Sequence, residues 1–533
     1  MQKPTGRTPA LRISATEDAA CAAKELQADY VSHAVPLTAR LGRWQLTMSY
    51  WSLLSAMCWM FFGALVATLY GTSNALIAFV LTIGCMSVMG PAFTRSSIRG
   101  GLSSTLLARR PFGLFGGTLT SLLMAAMVTY YTVFESSTLA MGLKFYFHAS
   151  SMPMWGWYAI VTIAMLPLML GSVESWMAKL NGLLLPFYIV GLAVVTVLAL
   201  MKAPDSSAWL HFAGVVPAQG RALPGWAMAF LLLMGTWPLI LTGTDFARFG
   251  KIEDGAFHEK VSFGGVFYFW LYAVNGIAGI ILVRCMLPGD PTQEAGVVQA
   301  ILASGGLVGI LLIVVTQTRI NTLNYYEASM NFERLVGGAL GVRLGRMAWV
   351  VIVGVLTFVL MLTDVFSYLM RALNWQSAFF LGWIGIVGMH LWLHRADREQ
   401  GMEFRANRVA MVTPGLVAWV ISGAVSIWLT EAAPTPLLAA MAPVVALVLG
   451  AGLYFLITIA LPRRKHGHAL DPREEVADSW NAWIACEVCH GGYVAYEVDR
   501  HPATGKPLCD ACATVARLGR PGEASAAGVF GNA

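Results

Sequence analysis

The chain has 533 residues, of which 57% are hydrophobic and only 12% charged, with a formal net charge of +6. Soluble proteins carry about 25% charged residues, so this composition excludes an ordinary soluble enzyme, a disordered chain and a nucleic-acid-binding protein. At about 20 apolar residues per crossing, the length allows ten or more spans, and the sequence reads as an all-α polytopic membrane protein.

Residues 1–45 are polar, Ala-rich and charged throughout, without the continuous apolar core of a cleavable signal peptide. They are expected to form a cytoplasmic amino-terminal tail along the inner surface of the bilayer. Apolar runs bounded by charge or turn residues then predict twelve transmembrane helices within a domain covering 46–461. They lie near 46–70, 74–93, 114–142, 154–171, 181–201, 226–244, 261–288, 296–330, 346–370, 375–394, 409–430 and 435–461. With the amino terminus placed inside, the cytoplasmic loops hold fifteen lysines and arginines and the outer loops five. The positive-inside rule therefore predicts both termini in the cytoplasm of a multi-pass cell-membrane protein, expected in a bacterial inner membrane.

Two of these spans are interrupted. The first, SYWSLLSAMCWMFFGALVATLYG, places Ser55 and Ala56 before an aromatic cluster and Gly63; the sixth, LLLMGTWPLILTGTDFARFG, contains Gly235, Pro238 and Gly243. Proline frees a helical carbonyl that needs another partner in lipid. Paired interruptions five spans apart point to a five-plus-five inverted-repeat transporter with its site at the broken helices. The plainer reading is that Gly and Pro are common in membrane helices.

Ionisable groups inside the membrane are expensive and need a reason. Glu135 lies in the third span within TYYTVFESST; Arg319 and Glu327 lie in the eighth, within VTQTRINTLNYYEASM, and Asp364 in the ninth. Glu327 and Asp364 are equally well explained as helix-end groups paired with basic neighbours such as Arg371, whereas Glu135 sits deep in its run beside Tyr130, Tyr131 and Phe134. The eighth span also carries Thr316, Gln317, Asn321, Thr322 and Asn324. That density suits a wet cavity or ion site, with a polar helix–helix seam as the alternative. Aromatic faces such as Trp237, amides and one carboxylate would suit a planar polar solute. They do not choose among nucleobases, hydantoins and indoles.

The carboxyl-terminal region divides into a polar linker (462–480), a cysteine-bearing module (481–515) and a Gly/Ala/Ser-rich stretch (516–533) expected to be disordered. In CEVCHGGYVAYEVDRHPATGKPLCDAC, two C-x2-C pairs, Cys486/Cys489 and Cys509/Cys512, have zinc-ribbon spacing. Four thiolates make a closed, structural Zn2+ site rather than a catalytic one, and a reducing compartment favours metal over disulfide. YVAYEV and the ATGK turn predict a hairpin between the pairs. A redox dithiol pair is the rival reading. Such a module would serve regulation, stability or the docking of a cytoplasmic partner.

Three stretches resemble the nucleobase–cation symporter-1 family, which includes cytosine permeases and hydantoin transporters. They are DYVSHAVPLTARLGRWQLTMSYWSL entering the first span, LSSTLLARRPFG after the second, and TGTDFARFGK leaving the sixth. The resemblance implies a leucine-transporter-type fold: a ten-helix core, two extra helices and alternating access. It implies a substrate site with Tyr131 and Trp237 as aromatics, Gln317 and Asn321 as hydrogen-bonding groups, and Ala56 and Thr316 nearest the family's sodium ligands. Glu135 and Arg319 depart from the family pattern. The expectation is that the Arg319 guanidinium takes the place of a bound sodium and that Glu135 contacts substrate and carries a coupling proton; its rivals are Arg319 paired with Glu327 or with Glu135. The chain is thus expected to import a nucleobase such as cytosine or a purine, or a related planar heterocycle, with H+ or Na+ as coupling ion. The alternative function is a transporter-like sensor signalling through the zinc module. No nucleophile–base pair suggests an enzyme.

Overall fold

The computed structural model describes residues 9–148, 151–169, 176–287, 294–342, 344–363, 368–460 and 470–518. Among these, eight single helices are long and apolar enough to cross a membrane, and two bent helix pairs bring the number to ten. The bent pairs are the first span, Arg43–Ser55 with Met57–Tyr70 (44°), and the sixth, Gly225–Met234 with Leu239–Ala247 (43°). Both breaks fall where small residues and Pro238 interrupt the sequence. Shorter apolar helices, Met154–Leu168 and Arg346–Met361, occupy the fourth and ninth predicted positions. Asp364 lies outside the described residues.

Two predicted boundaries change. The run 296–330 is two helices, Glu294–Gly305 and Leu307–Leu340, divided at Gly306 (φ 52°). Only the second has the length of a crossing, and it continues past 330 because Asn331 and Arg334 find buried polar partners. The third helix, Ser104–Tyr146, turns at Gly113 (φ 84°, ψ 178°), so that a short helix precedes the span proper. A Cβ at Gly113 would lie 2.7 Å from the Met411 carbonyl, so both the left-handed backbone and the close approach require glycine.

Spans three and eight run along each other, and the second half of the first span, Met57–Tyr70, packs on the seventh, Ile252–Met286. Small residues govern that second contact, as is usual where membrane helices approach closely. A Cβ at Gly279 would stand 2.0 Å from the Met60 carbonyl, and one at Gly63 2.4 Å from the Gly276 Cα. Gly279→Val should therefore force the helices apart and cost about 2 kcal/mol or more. Thermal unfolding in detergent should fall by several degrees, while Gly84→Ala, which meets nothing within 4 Å, should leave it unchanged. The tenth, eleventh and twelfth spans, Arg371–Leu393, Pro414–Ala432 and Ala442–Ala460, pack mainly on one another.

The carboxyl-terminal module is folded against this bundle. Strand β1 (Ile13–Ser14), from the amino-terminal tail, pairs antiparallel with β2 (Trp483–Ala485), which pairs antiparallel with β3 (Gly492–Val494). β4 (Asp499–Arg500) and β5 (Pro507–Leu508) form a second antiparallel pair, and a helix, Asp510–Leu518, closes the module. Within YVAYEV only Tyr493 and Val494 are strand, because the chain turns after Ala495 to place Glu497 against the amino-terminal segment. Of the linker, residues 470–480 are ordered: Asp471 binds Arg405, and Trp480 stacks on Tyr496 at 4.2 Å. Residues beyond Leu518 lie outside the described part of the chain.

Candidate substrate site

The first span stops at Ser55 and restarts at Met57, with Ala56 between them in a non-helical conformation (φ −58°, ψ 128°). Such a break strands backbone donors on one side and carbonyls on the other, away from water. The donors meet Glu135: the Met57 N–H donates to Oε2 at 3.2 Å and the Cys58 N–H to Oε1 at 3.1 Å. Gln317 Nε2 adds a third hydrogen bond, to Oε2, at 2.7 Å. The carbonyl side meets Arg319, whose Nη2 donates to the Trp51 carbonyl at 2.9 Å while its guanidinium lies 5.4 Å from the Tyr188 ring centroid. A carboxylate at the start of one half-helix and a guanidinium at the end of the other also complement their dipoles. Both side chains are buried, at 1% and 0% exposure.

Against this break lies a cavity bounded by the first, third, sixth and eighth spans. Its wall is mostly apolar, with Leu53, Met127, Val128, Leu239, Ile320 and Leu323. Few polar groups reach it. Glu135 does; the Tyr131 hydroxyl accepts from Gln376 Nε2 at 2.9 Å; Thr236 shares a hydrogen bond with the Tyr272 hydroxyl at 2.7 Å. Asn324 is buried at 4% exposure, and its Nδ2 makes no hydrogen bond among the described residues.

Tyr131, Glu135 and Ala56 thus line the cavity, and Gln317 stands behind it holding Glu135. Asn321 does not reach the wall: its Oδ1 accepts from Ser136 at 3.3 Å and its Nδ2 approaches Gln317 Oε1 at 3.5 Å. Trp237 is not among the lining residues either, its ring meeting Phe230 edge-on at 5.9 Å while its neighbours Thr236 and Pro238 form the wall. The Thr316 hydroxyl is turned to the Ile313 carbonyl, and the Thr316 carbonyl accepts from Ser55. Arg319 bonds neither Glu135 nor Glu327; Glu327 takes Asn331 Nδ2 at 3.2 Å. Thr236 and Cys58 are wall residues that the sequence does not single out, and of the eighth-span amides it is Asn324, three positions after Asn321, that reaches the wall.

At one end of the bundle the three motif stretches converge. Asp245, of TGTDFARFGK, accepts from the Ser104 N–H at 2.8 Å, the Ser104 hydroxyl at 3.1 Å and Arg334 Nη1 at 3.2 Å. Arg248 donates to the Tyr30 and Asp29 carbonyls at 2.7 and 2.8 Å, and Arg334 to the Val31 carbonyl at 2.9 Å. Arg40 ties Ile98 and Gly250 together through their carbonyls. The amino-terminal segment is thereby held across the adjoining ends of the second, sixth and eighth spans.

In the module, one sulfur from each of Cys486, Cys489, Cys509 and Cys512 lies within 4.8 Å of the others, and Cys489 and Cys509 are 3.9 Å apart. Zn–S bonds of about 2.3 Å in a tetrahedron require sulfurs about 3.8 Å apart, so these thiols fit a closed four-Cys Zn2+ site. The surrounding polar contacts are strong. Burial alone would raise the Glu403 carboxyl, but the hydrogen bonds from Arg405 together with the charges of Arg473 and Arg405 outweigh it and hold the group down to about 2. The same arginine holds Asp471 well below the usual carboxylate range against its burial.

Solved structures sharing this fold are membrane transporters of the leucine-transporter type, not enzymes. One is Mhp1, a nucleobase-cation-symport-1 family transporter, closed with bromovinylhydantoin bound: 15% identical, TM-score 0.59, covering 80% of this chain and 95% of its own. The inward facing conformation of Mhp1 gives 14% identity and a TM-score of 0.60 over 80% and 94%. MhsT in complex with L-phenylalanine gives 12%, 0.51, 77% and 99%. No family model and no curated protein matches the sequence. What these likenesses share with the chain is the fold, in which the five-plus-five arrangement expected from the paired interruptions is realised.

Proposed function

We propose that the chain is a secondary-active carrier of the nucleobase–cation symporter-1 family, moving an uncharged planar heterocycle of the nucleobase or hydantoin type by alternating access, with a proton as coupling ion. One observation carries this reading: both ends of the broken first span are complemented from within the chain, by Glu135 and by Arg319. In broken-helix carriers those ends ordinarily receive an anionic substrate group and a sodium ion. Here a substrate carboxylate would have to displace Glu135 from the Met57 and Cys58 amides, and a sodium ion would have to share its carbonyls with a guanidinium. A neutral ring fits instead. Tyr131 offers it a face, the Asn324 amide donates to a ring carbonyl, and the oxygen lone pairs that Glu135 leaves unused accept a ring N–H.

Glu135 is also the buried carboxyl that can bind and release a proton without leaving the site. The fold likeness to a hydantoin-binding transporter supports this substrate class. A thermal-shift screen of the purified protein with cytosine, purines, uracil, hydantoins and allantoin tests it. At least one of these rings should raise the melting temperature, and phenylalanine should not. Stabilisation by carboxylate-bearing amino acids alone would overturn the reading.

A further inference from the structure

We propose that the four-cysteine module is a metal-dependent latch on the cytoplasmic gate: Zn2+ bound there holds the amino-terminal segment across the inner end of the substrate pathway. The module touches both parts that must separate for that side to open. On one of them, β1 of the amino-terminal tail pairs with β2, which ends one residue before Cys486. Glu497 accepts from the Ala34 N–H at 3.0 Å and bonds His33 Nδ1 at 2.7 Å, and the His33 ring stacks on Tyr493 at 4.5 Å. This is the segment whose carbonyls at 29–31 receive Arg248 and Arg334.

The other part is held just as directly. Asp510 lies between the ligands Cys509 and Cys512; its Oδ2 takes Arg109 Nη1 at 2.6 Å and its Oδ1 the Ala406 N–H at 2.8 Å. Arg109 belongs to the short helix preceding the third span and Ala406 to the loop between the tenth and eleventh. Asp510 is 1% exposed and Glu497 1%. Coordination fixes the backbone on either side of Asp510 and next to β2, so the metal positions both anchors together. Without it, a unit this small has little core of its own to keep them in register.

The latch rests on the reading that the chain alternates access, and Cys58, in the cavity wall, reports on both. Inside-out membrane vesicles bearing the full chain are treated with a membrane-impermeant maleimide, and alkylation of Cys58 is followed by peptide mass spectrometry. Asp510→Asn, His33→Ala and removal of Zn2+ with a membrane-permeant chelator should each speed alkylation about tenfold or more. Asp510→Asn and His33→Ala should keep one zinc per chain, which separates loss of the latch from loss of the module's fold. Equal rates in wild type, both variants and chelated protein overturn the latch while leaving alternating access standing. Failure to alkylate Cys58 from either side of the membrane in any form counts against alternating access itself and removes the latch with it.

Discussion

Glu135→Gln is expected to lower affinity for the carried ring by more than tenfold and to abolish the dependence of uptake on a proton gradient. The substitution changes almost no volume but replaces one acceptor oxygen by an NH2 group. Each carboxylate oxygen now accepts from a backbone N–H, of Met57 or of Cys58, so the new amide must set a donor against a donor on one side. A buried donor left unsatisfied costs about 1–3 kcal/mol, roughly five- to 150-fold in an equilibrium constant. The glutamine also has no proton to exchange. Binding measured by thermal shift, and uptake at matched and unmatched pH, read the two losses separately. Glu135→Asp, which keeps the charge on a shorter stem, should recover pH dependence in part. Unchanged binding in Glu135→Gln would show that the carboxylate is structural only.

Arg319→Ala should convert a sodium-indifferent protein into one that sodium stabilises. The guanidinium satisfies the Trp51 carbonyl and supplies the positive charge at the end of the half-helix Arg43–Tyr50. With it gone, the Trp51 carbonyl loses that donor, and a space remains beside oxygens of the first and eighth spans, the Thr316 carbonyl among them. A cation bound only by the folded state raises stability by RT ln(1 + [L]/Kd), about 2.7 kcal/mol at a hundredfold excess over Kd. Melting temperature in 100 mM NaCl against 100 mM choline chloride should therefore be equal in wild type and higher in sodium for Arg319→Ala. A sodium-stabilised wild type would place the ion in the protein already, beside the arginine rather than replaced by it.

Much of this architecture is legible in the sequence because the membrane imposes it. Apolar runs locate the helices, and Gly235, Pro238 and the small residues at Ser55 and Ala56 mark both bends. Glu135 and Arg319 stand out because nothing else in their surroundings would tolerate a charge without a reason. The four cysteines declare their spacing outright. What the sequence does not reveal is rotation and contact at long range. Asn321, Gln317 and Asn324 sit on neighbouring turns of one polar helix, and only packing against the third span decides that Gln317 and Asn321 bond inward groups of the bundle while Asn324 faces the cavity. Gly306 divides a run that hydropathy reads as continuous, since a single left-handed residue leaves no mark on apolar periodicity.

The tail holds the larger surprise. Its residues are polar, as a solvated linker's would be, yet Arg405, Asp471, Arg408 and Asp499 are paired with one another across loops far apart in sequence. The convergence of the three motif stretches on one layer at an end of the bundle has the same character. Asp29, Ser104 and Asp245 are each unremarkable alone, and their shared role appears only when Arg248 and Arg334 are seen to bind across them.

The central claim is that the chain's own charges stand where such carriers place an anionic substrate group and a sodium ion. Uptake of radiolabelled rings by proteoliposomes, in sodium-free buffer with an inward proton gradient, tests it most directly. The account predicts accumulation of a neutral heterocycle that collapses with a protonophore and does not change when sodium is added. Accumulation that requires sodium and ignores the proton gradient would contradict it.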